Sequence, residues 1–257
     1  MVISLKKYKD NLEQYMEANK SYFLTYDKDL IEFNFERINT ISSQKIEDLI
    51  SWYEREKERC DMKYEHIPLQ ECKGWSIDTI TGSLVHKSGE FFRVDGIRVQ
   101  NSNEREVSGG WEQPIITQVG FDGGILGLIR KRIYGVPHYL VEAKSEPGNP
   151  GIVQISTTVQ ATFSNLKQAH GGSKTKYSEY FIHPDENDAK ILFSRWMSED
   201  GGRLLNKRNK SMVVEVEKDI DIEDTRYRWV TLHDLVVLTR EKDAIVAPHI
   251  RGILAAL

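Results

Sequence analysis

The chain has little cysteine, and it has no excess of positive charge. Its 257 residues include two cysteines, Cys60 and Cys72, which form no C-x-x-C pair. This usage argues against a disulfide framework and fits a reducing compartment, the cytoplasm. Neither cysteine lies at ligand spacing from histidines, so we expect no structural zinc site. A net charge of -4 argues against general nucleic-acid binding.

Long apolar runs and glycine-rich phosphate loops are also missing. No stretch approaches the ~20 apolar residues of a membrane span. The beginning of the chain, MVISLKKYKDNLEQ, has no hydrophobic signal core, so we expect neither membrane insertion nor secretion. The sequence contains no G-x-G-x-x-G or Walker loop, and its strands do not alternate regularly with helices. A dinucleotide-binding fold is therefore not expected.

Residues 1–73 are predicted to be mostly helical. The stretch QKIEDLISWYEREKERC, residues 44–60, puts Ile46, Leu49, Ile50 and Tyr53 on one apolar stripe. An earlier stretch, SLKKYKDNLEQYMEANKSYF, has a similar but weaker pattern. We therefore predict a helical extension that packs on the rest of the chain or on a partner chain.

Residues 74–257 are predicted to form a second, strand-rich unit. Short β-rich runs separated by turns predict strands at TGSLVH, EFFRVDGIRV, QPIITQV, GILGLIRKRI, VPHYLVEA, GIVQIST and SMVVEVE. The run HPDENDAKILFSRWMSEDGG predicts a helix with Asp185 as its cap and Gly201–Gly202 as its stop. TLHDLVVLTR opens with a capping box, and a last helix is predicted after Pro248. The fold class is α+β, with a strongly twisted, mixed or antiparallel sheet and flanking helices.

A polar segment from 142 to 172, EAKSEPGNPGIVQISTTVQATFSNLKQAHGG, is the most unusual feature of the sequence. It is either a long surface loop or the lining of a site for a polar ligand. Glu142 and Lys144 lie two residues apart at a predicted strand end, so they point to the same face. If the next strand continues far enough, a mainly even-numbered polar series shares one face of it: Gln154, Thr158, Gln160, Thr162, Ser164 and Asn165.

Within this segment EPGN, QISTTVQATFSN and HGG, in that order, resemble the signature of the NDP-hexose 2,3-dehydratases of deoxysugar biosynthesis. Three further stretches are similar to the same family, so that the resemblance covers about Gly74 to Leu257: WSIDTITGSLVHKSGEFFRVDGIRV, WEQPIITQVGFDGGILGLIRKRIYGVPHYLVEAKSEPGN and RYRWVTLHDLVVLTREKDAIVAPHIRGILAAL. Familiar members carry two such modules in tandem. The family also tends to have basic residues where this chain has Phe163 and Gln168.

The resemblance implies a Nudix-like module that removes water across C2–C3 of an NDP-4-keto-6-deoxyhexose and gives an NDP-3,4-diketo-2,6-dideoxyhexose. It implies no cofactor, and because no string like the metal-binding Nudix box occurs, we expect no metal. The implied substrate is a nucleotide-diphosphate sugar, and a downstream NADPH-dependent 3-ketoreductase would consume the product. Two chains are expected to form a homodimer that replaces the tandem modules.

Such a reaction needs a base with a pKa near neutrality, donors to the enolate oxygen, an acid for the departing hydroxide, and cations or amides for the diphosphate. Four residues are the catalytic candidates: Glu146, His170, Lys144 and Tyr177. The predicted substrate contacts are Trp111 as a stacking plate, Gln113, Arg93, Arg130, and the polar series Gln154, Thr158, Gln160, Thr162, Ser164 and Asn165. Five other histidines are expected to be structural: His86, His138, His183, His233 and His249.

Two other functions remain open at this point. The chain could be an isomerase or epimerase of the same NDP-4-ketosugar, because both reactions also begin with abstraction of a proton next to the ketone. It could instead be a non-catalytic module that binds nucleotide sugars, since tandem families can retain a module without turnover.

Overall fold

The computed structural model describes residues 5–20, 28–41, 44–101, 103, 106, 108–120, 123–166 and 174–257. The helices are α1 (Leu5–Ala18), α2 (Lys28–Ile38), α3 (Ile46–Arg59), α4 (Phe163–Leu166), α5 (Glu179–Ile182), α6 (Leu232–Glu241) and α7 (Pro248–Ala256). The strands are β1 (Trp75–Ile77), β2 (Leu84–His86), β3 (Arg93–Gln100), β4 (Gly110–Thr117), β5 (Gly124–Ile133), β6 (Val136–Ser145), β7 (Val153–Thr157), β8 (Val159–Thr162), β9 (Ala189–Ser198), β10 (Leu204–Leu205), β11 (Arg208–Val216) and β12 (Tyr227–Val230). None of the helices described is long and apolar enough to cross a bilayer.

The strands form two sheets. The smaller sheet has the order β1-β2-β3-β4-β10, and the larger has the order β12-β6-β5-β11-β9, with β7 on β6 and β8 on β5. The pairings β5–β11 and β4–β10 are parallel, whereas β5–β6 and β9–β11 are antiparallel. The predicted α+β class with a mixed sheet is confirmed.

The larger sheet divides at the point where β5 and β6 stop pairing with each other. The first half of β6 pairs with β5, and its second half pairs with β7, while β8 pairs with the beginning of β5. Thr158 lies at the branch, where its hydroxyl accepts a 3.0 Å hydrogen bond from the Ile129 amide and donates to the Leu140 carbonyl. The polar series therefore does not share one continuous face, because β7 ends before Thr158 and the chain turns into α4 at Phe163.

The prediction of a helix over residues 183–202 is wrong, because this region contains strand β9. The strand pairs antiparallel with β11 along its whole length. The apolar triplet Ile191–Phe193 fits a helix face as well as a strand, and the partner strand decides between the two. Asp188 has a left-handed backbone (φ 50°) that ends the preceding helical turn and starts the strand.

Most of the other elements lie where the sequence predicts them. The predicted apolar stripe lies in the N-terminal part of α3, and β5 and β6 cover the predicted runs GILGLIRKRI and VPHYLVEA. The capping box of α6 is formed: Asp234 N donates 3.1 Å to Thr231 Oγ1, and Thr231 N donates 3.0 Å to Asp234 Oδ2. Pro248 occupies the first turn of α7, where its missing N–H costs no hydrogen bond.

A single apolar core joins the N-terminal helix α3 to the larger sheet and to α6 and α7. Leu49, Trp52 and Tyr53 of α3 lie in it beside strand residues such as Leu128 and Val141. The segment before α7 also joins the sheet edge, since Ile155 N donates 2.8 Å to Ile245 O and Ala247 N donates 2.9 Å to Ile155 O. This pairing places the first turn of α7 at the end of β7 and β8. The domain boundary at residue 74 stays a prediction.

Candidate functional site

A polar cavity of about 300 Å³ lies beside the first turn of α7. Its walls come from β5, β8, the turn after β6, the loop between β9 and β11, and α7. The lining residues are Ile125, Leu126, Glu146, Gln160, Ala161, Thr162, Glu199, Leu204, Lys207, Asn209 and His249. The cavity combines two carboxylates, one imidazole, one lysine and three neutral polar side chains over an apolar floor.

The turn after β6 holds Glu146 at the wall. The Glu146 amide donates 3.0 Å to Ile152 O, and the Glu146 carbonyl accepts a 3.1 Å hydrogen bond from the Asn149 amide. Pro147 fixes the backbone at the start of this reversal. The EPGN motif therefore forms a hydrogen-bonded turn, and this turn holds Glu146 at the cavity wall.

Lys144 joins Glu146 to a second, more buried carboxylate. The ammonium nitrogen of Lys144 lies 3.9 Å from Glu146 Oε1 and 3.9 Å from Glu142 Oε2. Burial raises the pKa of Glu142, while Lys144 and Arg226 oppose that rise. The Lys144 cation is thus shared by two carboxylates, as expected of a lysine at the end of a partly buried strand.

His249 is the second residue of α7, and its ring is half-buried against the cavity. Burial lowers the pKa of His249 below its ordinary value of 6.5, although Glu199 and Glu146 act in the opposite direction. An imidazole of this kind is neutral at pH 7 and has a nitrogen lone pair able to accept a proton. It is the side chain in the cavity best suited to serve as a general base.

Glu199 is held at the wall by its neighbours. Asn209 Nδ2 donates a 2.5 Å hydrogen bond to Glu199 Oε1, and Glu199 N donates 2.9 Å to Lys207 O across the antiparallel pair. Lys207 donates 2.5 Å from Nζ to Gln118 Oε1. These bonds fix the carboxylate and the ammonium group on the same side of the cavity.

The opposite wall is made by β8. Gln160 and Thr162 alternate with the buried Val159 and Ala161 and line the cavity, which Ala161 also borders, whereas Val159 lies in the core. Ser156 Oγ lies 2.9 Å from Gln160 Oε1 and donates to it, which orients the amide.

The structure thus brings several predicted residues together. Glu146, Gln160 and Thr162 line the cavity, and Lys144 adjoins it. Lys144 also lines a separate cavity of about 310 Å³ with Glu142 and Arg226.

The three candidates Arg93, Trp111 and Gln113 lie in the smaller sheet, away from this cavity. Arg93 pairs with Asp95 at 2.9 Å on β3. Trp111 Nε1 donates 2.7 Å to Gln113 Oε1, and Gln113 Nε2 donates 2.8 Å to Gly202 O. Gln113 thus anchors the β9–β11 loop that carries Glu199.

Arg130 lies at the centre of a buried ion cluster. Its guanidinium is 2.6 Å from Glu36 and 2.9 Å from Glu32, it contacts Glu215, and only 2% of its side chain is exposed. Tyr139 adds a 2.7 Å hydrogen bond to Glu36. The cluster fastens α2 to the larger sheet, and Arg130 does not line the cavity.

Three other candidates have different surroundings. Tyr177 lines another cavity with Asp221 and Asp224, and burial raises its pKa. Gln154 is buried and donates 2.6 Å to Ala244 O, whereas Thr158 is bonded within the sheet.

Of the remaining candidates, Ser164 and Asn165 lie in α4, and the structure describes their backbone only. His170 lies outside the described residues.

Sequence reasoning missed four cavity residues: Glu199, Lys207, Asn209 and His249. His249 was expected to be structural, yet Pro248 at the predicted start of a helix was a signal that His249 sits in a first helical turn. The wrong helix prediction concealed Glu199. A strand prediction would have placed this residue at a strand end, where site residues are common. Lys207 and Asn209 carried no signal of their own.

The side chains that line the cavity are chemically suited to proton transfer. A neutral imidazole can remove a proton, the neighbouring carboxylates stabilise the imidazolium that results, and lysine and amide donors can stabilise an oxyanion.

Solved structures give weak similarities. A Nudix hydrolase from M. smegmatis, RenU, matches 63% of this chain and 97% of its own at 13% identity and a TM-score of 0.32. The Ap4A hydrolase of C. elegans matches 53% of this chain and 95% of its own at 11% identity and a TM-score of 0.30.

Sequence comparison gives a much stronger result. The model of the NDP-hexose 2,3-dehydratase family matches residues 46–257. Proteins named dTDP-4-dehydro-6-deoxy-alpha-D-glucopyranose 2,3-dehydratase are similar from Amycolatopsis orientalis (36% identity, 83% of this chain, 45% of the relative) and from Saccharopolyspora spinosa (40%, 74% and 38%). One from Streptomyces violaceoruber is 36% identical over 80% of this chain and 45% of its own. The chain spans less than half the length of these relatives. It belongs to the NDP-hexose 2,3-dehydratase family.

Proposed function

We propose that the chain removes water across C2–C3 of an NDP-4-keto-6-deoxyhexose and releases an NDP-3,4-diketo-2,6-dideoxyhexose. Membership of the family supports this reaction class. The observation that carries the proposal is the cavity in which a neutral His249 lies between Glu146 and Glu199. The relatives' names suggest dTDP-4-dehydro-6-deoxyglucose as the first substrate to test.

In the proposed first step, His249 takes the hydrogen on C3 as a proton. The 4-keto group makes that hydrogen acidic, and the electron pair of the broken C3–H bond moves into an enediolate with charge on the C4 oxygen. The amide of Gln160 is the donor for this oxygen, in a cavity where such a hydrogen bond is worth about 3 kcal/mol. Glu146 and Glu199 stabilise the imidazolium.

In the second step the enediolate expels the C2 hydroxyl. The imidazolium of His249 gives its proton to the departing oxygen, so that one molecule of water leaves and the base is regenerated. The resulting C2=C3 enol moves its proton from the 3-hydroxyl to C2 and becomes the 3,4-diketone. No electrons are gained or lost overall, and the reaction needs no redox cofactor.

The other predicted catalytic residues have separate places in the proposal. Lys144, 3.9 Å from Glu146, is the ion-pair partner of that carboxylate at the cavity wall. Tyr177 and His170 are the alternative donors of the proton to the departing hydroxide, in place of the His249 imidazolium. A variant of either one tests that role with the same assay.

The proposal also covers the oligomeric state of the protein, the enzyme that acts next and the cellular compartment. We propose that two copies associate about a two-fold axis, as the resemblance to tandem-module proteins suggests. Sedimentation at micromolar concentration is expected to show a dimer, and a monomer alone would contradict it. An NADPH-dependent 3-ketoreductase would consume the labile diketone. We place the reaction in the cytoplasm, because Cys60 and Cys72 are both free thiols.

The direct test is incubation of the protein with dTDP-4-keto-6-deoxyglucose, a 3-ketoreductase and NADPH. Dehydration gives a 2-deoxy sugar, detected by its mass, whereas an epimerase or isomerase leaves the C2 hydroxyl in place. Wild-type protein and His66→Gln, an exposed histidine outside the cavity, are expected to form the 2-deoxy product. His249→Gln is expected to form it about 10²- to 10⁴-fold more slowly. Binding of the nucleotide sugar without any change in its mass would favour a binding module instead.

A further inference from the structure

A second cavity of about 810 Å³ adjoins the first. Glu199, Leu204 and Lys207 line both, so the two cavities meet at these three residues. The remaining walls of the larger volume are Ser198, Gly201, Leu205, Asn206 and Arg208. We call this larger volume the loop groove, because all of its residues belong to the β9–β11 connection and its two ends.

The loop groove has two consecutive cations on one rim. Lys207 lies where the two cavities meet, and Arg208 follows it in the larger one. The guanidinium carbon of Arg208 lies 4.8 Å from the ring centroid of Trp196, and 45% of Trp196 is exposed. Stacking on a ring limits the orientations of a guanidinium, and this lowers the entropy lost when it binds an oxyanion.

The acidic groups near the loop groove are already engaged. Glu199 accepts a 2.5 Å hydrogen bond from Asn209. Asp200 contacts Arg203 and also accepts a 2.9 Å hydrogen bond from the Gly202 amide. These contacts reduce the repulsion that an anion would meet on entering.

The loop that forms the groove is anchored to the smaller sheet. β10 pairs parallel with β4, Ile116 N donates 2.9 Å to Arg203 O, and Gln113 Nε2 donates 2.8 Å to Gly202 O. The groove is thus built before any ligand arrives, and a preformed site binds with a smaller ordering cost.

We propose that the loop groove binds the nucleoside diphosphate of the substrate. Lys207 and Arg208 hold the diphosphate, the nucleoside lies along Leu204 and Leu205, and the hexose passes into the smaller cavity beside His249. This inference rests on the proposed function for the identity of the sugar. The two cavity volumes are consistent with this assignment, since ligand pockets run from ~300 to 1,000 Å³. The nucleoside diphosphate, which is assigned to the larger cavity, is also the larger part of the substrate.

The test is isothermal titration of the protein with dTDP, which carries no sugar. Wild-type protein is expected to bind dTDP, and Arg208→Ala and Lys207→Ala are each expected to bind about tenfold more weakly, because each loses a charge-assisted contact. Arg208→Lys keeps the charge but loses the planar fork, so we expect an intermediate loss. Thermal unfolding of every variant checks that it is folded.

Arg195→Ala is the matched control, since Arg195 is exposed on the neighbouring strand β9 and has the same charge but does not line the groove. It is expected to bind dTDP as the wild type does. The inference is overturned if Arg208→Ala binds normally, if Arg195→Ala loses as much affinity as Arg208→Ala, or if wild-type protein does not bind dTDP.

The same variants separate this inference from the proposed function. If wild-type protein dehydrates the sugar nucleotide and Arg208→Ala keeps its KM, the groove assignment is wrong and the dehydratase proposal stands. If dTDP binding depends on Arg208 but no 4-keto sugar nucleotide loses water, the dehydratase proposal is wrong and the groove assignment stands.

Discussion

Asn209 donates a 2.5 Å hydrogen bond from its amide to Oε1 of Glu199. The bond joins the start of β11 to the end of β9 and fixes a carboxylate at the wall of the cavity that also contains His249. Because Glu199 acts on the ionisation of His249, Asn209 influences the imidazole through Glu199. Asn209 is therefore a positioning residue in the proposed site.

This relationship predicts the behaviour of Asn209→Asp. The substitution keeps the shape of the side chain but replaces the amide donor with a second carboxylate next to Glu199. Added negative charge stabilises the imidazolium, so the acidic limb of the pH profile of kcat/KM is expected to move to higher pH. Kinetics across pH would measure the shift, with Asn187→Asp on the exposed turn before β9 as the control. A profile that superimposes on the wild type would show that Asn209 has no electrostatic role.

A second prediction concerns His249 itself. Loss of a general base costs about 10²- to 10⁴-fold in rate. We therefore expect His249→Gln to lower kcat by that range while dTDP still binds, because the proposed diphosphate ligands are Lys207 and Arg208. Stopped assays of 2-deoxy product give kcat, and titration gives the affinity. A variant with wild-type kcat would remove His249 from the mechanism.

The pH dependence of the wild type gives a third prediction. Burial lowers the pKa of His249 below 6.5, and the neutral ring is the active form. As the pH falls, kcat/KM should therefore stay level until the pH approaches this lowered pKa and decline only below it. In the interval just below pH 6.5, activity is retained where an ordinary histidine would already be more than half protonated. An acidic limb centred above pH 6.5 would contradict the assignment.

The buried cluster around Arg130 predicts a change in stability. Arg130→Met leaves the buried Glu36 without an ion-pair partner, although Glu32 keeps Arg132, and such a loss costs about 3–5 kcal/mol of the free energy of unfolding. The double variant Arg130→Met/Glu36→Gln is expected to recover part of it. Urea unfolding measures both. The matched control is Arg98→Met, whose pair with Glu112 is exposed and worth at most ~1 kcal/mol. Equal losses for Arg130→Met and Arg98→Met would refute a structural role for the cluster.

Local pattern was sufficient to predict some elements of this fold. β5 and β6 are apolar runs bounded by turn residues, and the capping box of Thr231 and Asp234 marks a helix start on its own. β9 could not be predicted in the same way. Its triplet Ile191–Phe193 suits both a helix and a strand, and only pairing with β11, which comes later in the chain, makes it a strand.

The site was predictable only in part, for a related reason. The polar segment after β6 does contribute Glu146, Gln160 and Thr162 to the cavity. His249 comes from a distant helix, and it reaches the cavity because the segment before α7 pairs with Ile155. As an arginine, Arg130 is a residue type suited to binding phosphate, but in the fold three glutamates surround its guanidinium group. Such distant pairings leave no local trace in the sequence.

The most direct measurement of proton removal in this cavity is the dehydration assay run in D₂O with dTDP-4-keto-6-deoxyglucose, a 3-ketoreductase and NADPH. We predict that wild-type protein gives a 2-deoxy sugar with solvent deuterium at C2 and that His249→Gln gives this product about 10²- to 10⁴-fold more slowly. A His249→Gln protein that forms the deuterated 2-deoxy sugar at the wild-type rate, or a wild-type product that keeps its C2 hydroxyl, would contradict the proposal.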